Sequence, residues 1–541
     1  MATFGIDLGT TYSCVSRIDR TGKPEVVKNE IGEDATPSVV YFESPTEVVV
    51  GVEAKNAARG YSELVVSLIK RRMGEKGASL DFHGATYTPE SISAIILRKL
   101  VAHAARATGE TVRDVVLTVP AYFGVAEREA TRIAGEMADL KVINLVPEPV
   151  AAALYYGALV PGQDRNILVY DLGGGTFDTT VISMSGQQVR VVCTDGDHKL
   201  GGADWDEKIQ QYLLDAYLEE FPDSGAGDSE EFVQELGLLA EEVKKQLSGL
   251  QTVRPQLRFP GGGSVRVELS RSTFEAISAE LLERTMIITE RTIETARGCG
   301  VHRIDEVLLV GGSTRMRAVM STLQRRIGLA PRIHEPDLAV AKGAAMFALV
   351  ETIMLPKVPG ETGRSSASVS QRAVEKVADE IGTTTEAVLA LADRDVTIVV
   401  PRAFGVKVVE ADENEEPRFV VQHLLHANTP LPAPPLTEQF YTASDGQKTI
   451  AVEVYEQAGE TESGELYDNN LIGQGLIERL PPLPHGSPID ITFQMDQSGV
   501  LTVQAKELVT GQTLEIELRI GDLTPRKIAD ARRTVARLSV V

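Results

Sequence analysis

Residues 4–15 read FGIDLGTTYSCV, and residues 169–181 read VYDLGGGTFDTTV. In both, an apolar run ends at an aspartate, a tight Gly/Thr turn follows, and a second β-prone run resumes. This is the pattern of a β-hairpin. Its turn exposes consecutive backbone N–H groups and hydroxyls, a concave set suited to phosphate oxygens, and glycine lets the backbone come close. An aspartate at a strand end can hold a hydrated Mg²⁺, which takes one or two carboxylates and keeps most of its waters. One such turn is ordinary hairpin chemistry. Two copies with the same Asp-Leu-Gly order point to a paired clamp that grips β- and γ-phosphates from opposite sides. VLLVGGSTRM (307–316) supplies a third strand, a glycine pair and a hydroxyl, with a helix expected to start at the turn. That arrangement suits an α-phosphate and the ribose–base region. HKLGGAD (198–204) adds a further Gly-Gly. No GxxxxGK[ST] motif occurs and no GxGxxG follows a strand, so the two common nucleotide fingerprints do not account for these glycines.

A chain of 541 residues exceeds one ordinary core and predicts two or three domains. Its 43% hydrophobic and 24% charged residues are those of a globular protein. The formal net charge of -23 argues against nucleic acid or an anionic membrane as main partner, since both call for a Lys/Arg surplus. Cys14, Cys193 and Cys299 lie far apart without metal-ligand spacing, which fits a reducing compartment. The start MATFGIDLG lacks a basic and apolar leader pattern, and no apolar run approaches 18 residues, so a cytoplasmic location is expected.

Residues 1–350 alternate buried strands (3–7, 115–119, 167–171, 307–310) with amphipathic helices, an α/β pattern. Thr88-Pro89 caps one helix, and Phe232, Leu236, Leu239, Val243 and Leu247 stripe another near 229–248. Residues 351–394 read as a linker with a helical spacer: PKVPGETGRSSASVS (356–370), then QRAVEKVADEI and TEAVLALA around Gly382. The two short helices outline a helix-turn-helix, but the acidic chain and the absence of a basic second helix favour a spacer. Residues 395–520 switch to short alternating strands (449–456, 488–496, 499–507, 513–520), which predicts an all-β sandwich. Residues 521–541 hold one short basic helix begun by Thr524-Pro525.

Taken in order, GIDLGTTYSCV, LTVPAYF (117–123), PEPVAAALYYG (147–157), YDLGGGTFD (170–178), LGGADWD (200–206), VGGSTRM (310–316) and EPDLAVAKGAA (335–345) resemble the seventy-kilodalton heat-shock (DnaK-type) chaperones. The resemblance covers nearly the whole chain. It implies a two-lobed ATPase of the actin-like (ribonuclease H-like) α/β fold, followed by a β-sandwich peptide-binding domain and a short C-terminal helix. It also implies ATP or ADP with Mg²⁺, and admits K⁺. Gly9, Thr10, Thr11 and Tyr12 then belong with the phosphates and nucleotide, and Asp7 and Asp171 hold the hydrated Mg²⁺. Gly173, Gly174, Gly175 and Thr176 form the second phosphate loop, Thr176 also counting among the catalytic set. Glu148 lies near the attacking water, with Asp178 in the same charged cluster. Lys70 positions that water and the γ-phosphate; by spacing alone it would read as a solvated helix-end lysine. Glu241, Lys244 and Ser248, with Gly311, Gly312, Ser313, Arg315 and Asp337, hold the ribose and adenine, and Gly201, Gly202 and Lys245 belong to the nucleotide-binding set. The family's Asn-Glu-Pro-Thr reads Pro147-Glu148-Pro149-Val150 here.

In the sandwich, the resemblance places an extended apolar peptide against Val406, Val408, Val409, Phe440, Ile450, Val452 and Ile489. Alternating apolar residues are also what any sandwich core contains, which would account for about half of this set. EADENEEP (410–417) reads as an acidic insertion at the rim, favouring segments with basic flanks. The linker reads DRDVTIVVP (393–401), apolar enough to add a strand edge, and LTPRKIADARRTVARL (523–538) is the stretch that corresponds to the family's helical lid. The expected partners are unfolded polypeptide segments, a J-domain co-chaperone and a nucleotide exchange factor. The expected function is an ATP-dependent chaperone whose peptide affinity is switched by hydrolysis. The rival reading is a nucleotide-gated scaffold for one specific partner, and a sugar-kinase-like phosphotransferase is disfavoured by the sandwich that follows.

Overall fold

The computed structural model describes residues 4–159, 164–186, 188–260, 262–353, 371–381, 383–392, 395–411, 417–497, 499–516 and 525–541. The segment 356–370, Gly382, the acidic run at 412–416, the Ser498 turn and the tail of the last expected strand (517–520) lie outside these residues.

The chain builds one strand arrangement twice. First come β1 (Phe4–Asp7), β2 (Tyr12–Ile18), β3 (Pro24–Val27), α1 (Pro89–Thr108), β4 (Asp114–Val119), α2 (Val125–Met137), β5 (Lys141–Pro147) and α3 (Glu148–Leu159). Their sheet runs β5-β4-β1-β2-β3. Next come β6 (Arg165–Leu172), β7 (Phe177–Ser185), β8 (Gln188–Asp197), α4 (Gly202–Glu220), α5 (Glu230–Gly249), α6 (Ala279–Gly298), β9 (Glu306–Val310), β10 (Arg332–Ile333) and α7 (Ala339–Ile353). They give the order β10-β9-β6-β7-β8. In each sheet the strand ending at the quoted aspartate sits centrally. It pairs antiparallel with the next strand and parallel with a later one.

Helices α3 and α7 run between the two sheets, and the apolar faces of Val116, Val146, Ile167, Val169 and Ile182 close on them. Two glycines permit this approach. A Cβ on Gly5 would meet the Ala345 nitrogen at 2.2 Å, and one on Gly343 would meet the Ala151 carbonyl at 1.8 Å. The Thr88 cap is present as a reciprocal capping box with Ser91. After β9 the structure departs from the sequence reading: Gly312–Arg315 form a 3₁₀ turn, and the α-helix begins only at Arg317.

Beyond α7, two helices, α8 (Gln371–Ile381) and α9 (Thr385–Ala392), precede a short strand β11 (Asp395–Thr397). β11 adds in parallel to the free edge of β8, Gln188 opposite Asp395. The sandwich follows as β12 (Phe404–Ala411), β13 (Pro417–Leu425), β14 (Ala433–Tyr441), β15 (Ile450–Gln457), β16 (Asn469–Ile477), β17 (Pro488–Met495), β18 (Leu501–Glu507) and β19 (Thr513–Ile516). They form two four-stranded sheets, β13-β12-β15-β16 and β14-β17-β18-β19. The sequence reading found four of these strands and missed the two-proline β14 and the charged or amide-rich β12, β13 and β16.

The sandwich rests on the first half of the chain. Arg402 lies over the Tyr122 ring and pairs with Glu127, and the Val125 N–H donates to Glu456 at 2.9 Å. The C-terminal helix α10 (Pro525–Ala536) packs on α1 and α2, and its Val535 together with Leu538 just beyond it is buried in their core. The chain then adds β20 (Ser539–Val540) in parallel to the strand Glu47–Val50. Among the described residues no helix is long and apolar enough to cross a membrane.

Candidate functional site

The two hairpin turns meet where the two sheets face each other. A Cβ on Gly174 would strike the Thr11 hydroxyl at 2.2 Å, and one on Gly175 would strike the Thr10 methyl at 2.2 Å. Gly9 is as constrained, its would-be Cβ lying 2.0 Å from the Tyr12 carbonyl. The glycines therefore let two turns interlock, which a side chain at either position would prevent. The second turn is tied to the helix start at 201–203: Gly202 N–H donates to the Gly173 carbonyl at 2.9 Å, and Ala203 N–H to Gly174 at 2.8 Å. Ser313 Oγ also donates to Gly173, and Gly173 N–H to Thr176. Arg71, which the sequence reading passed over, ties the turn to the first half through the Gly175 carbonyl at 2.8 Å and pairs with Asp204.

Four carboxylates and one ammonium lie under these turns. Asp7 ends β1 and accepts from the Thr118 hydroxyl at 2.8 Å. Asp171 and Asp178 stand opposite each other on β6 and β7. Asp178 accepts from the Ala121 and Tyr122 N–H groups, both at 3.1 Å. Lys70 is 4% exposed and donates to Glu148 at 2.6 Å, so it is a buried ion-pair member and not a solvated lysine. Burial and the neighbouring Glu148 charge push Asp7 and Asp178 each up to about 7, against the pull of Lys70. Burial and the charges of Glu148, Asp178 and Asp7 hold Asp171 well above the usual carboxylate range. Its Oδ2 finds no hydrogen-bond partner among the described residues. A concentration of buried negative charge with an orphaned oxygen fits a cation placed against Asp7 and Asp171.

Around the mouth, Tyr12 donates to Glu241 at 3.1 Å and accepts from Lys245 and Lys55. Glu241 also pairs with Lys55 and with Lys245. Burial pushes Glu241 up, but the two lysines outweigh it and bring it down to about 2. Lys55 had no motif to announce it. Lys244 turns inward, donating to the Gly202 carbonyl at 2.7 Å and to Asp206 at 2.8 Å. Ser248 bonds the Lys244 carbonyl. Gly311 holds φ +83°, with Leu172 too close for any side chain. Gly312 abuts Asp337, which pairs with Arg315. Direct contacts thus join many of the expected nucleotide positions across the two halves of the chain, from strand ends, turns and helix α5.

In the sandwich, all seven expected peptide positions line one groove of about 800 Å³ between β12, β14, β15 and β17. They divide by burial. Val406, Ile450, Val452 and Ile489 belong to the sandwich core, Val408 and Phe440 pack at its edge, and Val409 is 47% exposed. Phe419 and Tyr441, absent from the sequence reading, add exposed aromatic surface to the same groove. The family model described as Hsp70 protein matches residues 3–356 and 399–533, so the chain belongs to the Hsp70 family.

Proposed function

We propose that this protein is an ATP-dependent chaperone that hydrolyses ATP in the cleft and binds extended apolar segments in the sandwich groove. Membership of the Hsp70 family supports a chaperone role in general. The finer reading rests on one observation: the buried Lys70–Glu148 pair lies among Asp7, Asp171 and Asp178 beneath two interlocked glycine turns. The backbone N–H groups and hydroxyls of Thr10, Thr11 and residues 173–176 would hold the phosphates of ATP. Lys70 would offset the charge spread over the transferring γ-phosphoryl. Glu148 and Asp178 would orient the attacking water and take up its proton as the bond to the β-phosphate oxygen breaks and ADP leaves. Mg²⁺, bound through water by Asp7 and Asp171, would neutralise phosphate charge. The two-lobed body would be of the actin-like type, with Tyr12, Glu241, Lys244, Lys245, Ser248, Gly311, Gly312, Ser313, Arg315 and Asp337 around the adenosine.

The sandwich groove would take peptide by backbone pairing and apolar pockets. Its contact with the 120–127 segment, next to the bonds that hold Asp178, supports exchange of information between the two sites. The test is ATP turnover with and without an unfolded apolar peptide and a J-domain protein. Stimulation by both is expected. Turnover indifferent to peptide would replace this reading with that of a nucleotide-gated scaffold.

A further inference from the structure

We propose that Ser13 and Ser38 are positioning residues for the first glycine turn: their hydroxyls close a hydrogen-bonded ring through both backbone groups of Gly9. The inference rests on reading that turn as a phosphate site and deepens it. Both side chains are buried. Ser13 is the second residue of β2, and Ser38 follows the short strand Thr36–Pro37, which pairs antiparallel with the start of β2, Ser13 opposite Thr36. This pairing brings Ser38 to the turn, where its N–H donates to the Thr11 carbonyl at 2.9 Å.

The direction of each proton in the ring follows by elimination. The Gly9 N–H donates to Ser13 Oγ at 3.1 Å, and Ser38 Oγ donates to the Gly9 carbonyl at 2.8 Å. A hydroxyl has one proton to give, and that of Ser38 goes to Gly9. In the 2.8 Å contact between the two hydroxyls Ser13 is therefore the donor. The circuit runs from the Gly9 N–H through Ser13 and Ser38 back to the Gly9 carbonyl, each bond polarising the next. Both backbone groups of Gly9 are thus committed within the protein. The N–H groups of Thr10 and Thr11, which no protein acceptor takes among the described residues, are left as donors for an anion. Because the ring holds the turn before any ligand arrives, little ordering cost remains to be met on binding. Two serines that served the hairpin alone would affect every ligand equally. Two that position the turn affect only ligands that carry phosphate.

Calorimetric titration of the full chain with ADP and Mg²⁺, and separately with adenosine, tells these apart. Ser13→Ala and Ser38→Ala should each weaken ADP binding about tenfold and leave adenosine within about twofold of wild type. A ring opened at one point is open everywhere, so the double variant should bind ADP no more than about threefold more weakly than either single one. Hydrogen exchange of residues 8–13 without nucleotide should become at least about tenfold faster in both single variants, while β6 and β7 keep their protection. Equal losses for ADP and adenosine, or losses that simply multiply in the double variant, overturn the assignment. Unchanged exchange at 8–13 also overturns it. Wild type that binds neither ligand overturns the nucleotide reading instead, and the exchange measurement then decides by itself whether the ring holds the turn.

Discussion

Replacing Lys70 by Met keeps the length of the aliphatic stem and removes the ammonium. The stem stays buried, so the loss is mainly electrostatic: Glu148 is left without its 2.6 Å partner. Removing one member of a buried pair costs about 3–5 kcal/mol. Lys70 also opposes the upward push on Asp7, Asp171 and Asp178, so all three bind protons more tightly in the variant. Protonation relieves the repulsion, and the lower end of that range, about 3 kcal/mol, applies near pH 6. The sign follows from the folded carboxyls titrating above their unfolded values. Their burial penalty appears as pH rises through that interval, so the gap between variant and wild type widens from pH 6 to pH 8. Trp205, buried at the start of α4 beside the cleft, reports the transition in urea. Turnover should fall by about 10²–10³, the effect of losing one group that stabilises developing charge, while calorimetry still detects nucleotide binding. Wild-type turnover, or a stability gap under about 1 kcal/mol that ignores pH, would refute the assignment of Lys70 as a buried site cation.

Glu456 titrates at about 7 where it is buried against Arg402 and Glu127, compared with 4.5 when free. The docked form therefore binds the extra proton, and docking of the sandwich should weaken as pH rises from 4.5 to 7, by up to about tenfold per unit. Interdomain fluorescence transfer should show this slope in wild type and not in Glu456→Gln; equal slopes in the two would remove Glu456 as the cause. Gly343→Ala would stabilise an isolated helix by about 1 kcal/mol, yet here it drives a methyl into the Ala151 backbone. A net loss of about 1–3 kcal/mol is expected by thermal unfolding, and any net gain would contradict the close α3–α7 crossing. Val409→Asp should weaken binding of an apolar peptide without moving Tm, because Val409 is exposed in the groove, whereas Val406→Asp should unfold the sandwich. Parallel anisotropy and melting curves check both, and unaltered peptide affinity in Val409→Asp would take the groove out of peptide binding.

The strands that end at Asp7 and Asp171 were legible because hydrophobic period and turn chemistry agree there, and the repeat in sequence mirrors a repeat in topology. The residues expected around adenosine were singled out only through the resemblance to the family, since Glu241 and Lys244 on one helix otherwise read as a solvated face. In fact Glu241 meets Tyr12 and Lys55 across the cleft, and Lys244 turns inward to Asp206. Sequence separations of 186 and 229 residues carry no periodic signal. Arg71 escaped for the same reason, its partners being the Gly175 carbonyl in the second turn and the Asp204 carboxylate at the start of helix α4. Strands β12, β13 and β16 were hard to see because sandwich edges and groove walls replace alternation with charge, amide and glycine. β14 was obscured by its paired prolines.

The contacts between the two halves differ in kind, and the difference decides which can give way. At the C-terminus the attachment is apolar: Val535 and Leu538 enter the core of α1 and α2, and burying such side chains is worth about 1.5–3 kcal/mol each. Around residues 120–127 it is polar, with Arg402 on Tyr122 and Glu127 and with Glu456 on the Val125 N–H. A buried charged contact of this sort contributes little net stability, because desolvation offsets most of the attraction, and it is costly once a single partner moves. Such a contact is therefore either fully made or fully released. The same segment supplies the two N–H groups that hold Asp178. Releasing Glu456 frees the Val125 end of a loop whose other end positions a carboxylate of the cleft. If the polar contact were released, the apolar tail would still hold the end of the chain on α1 and α2, a division that follows from where this chain places its charges.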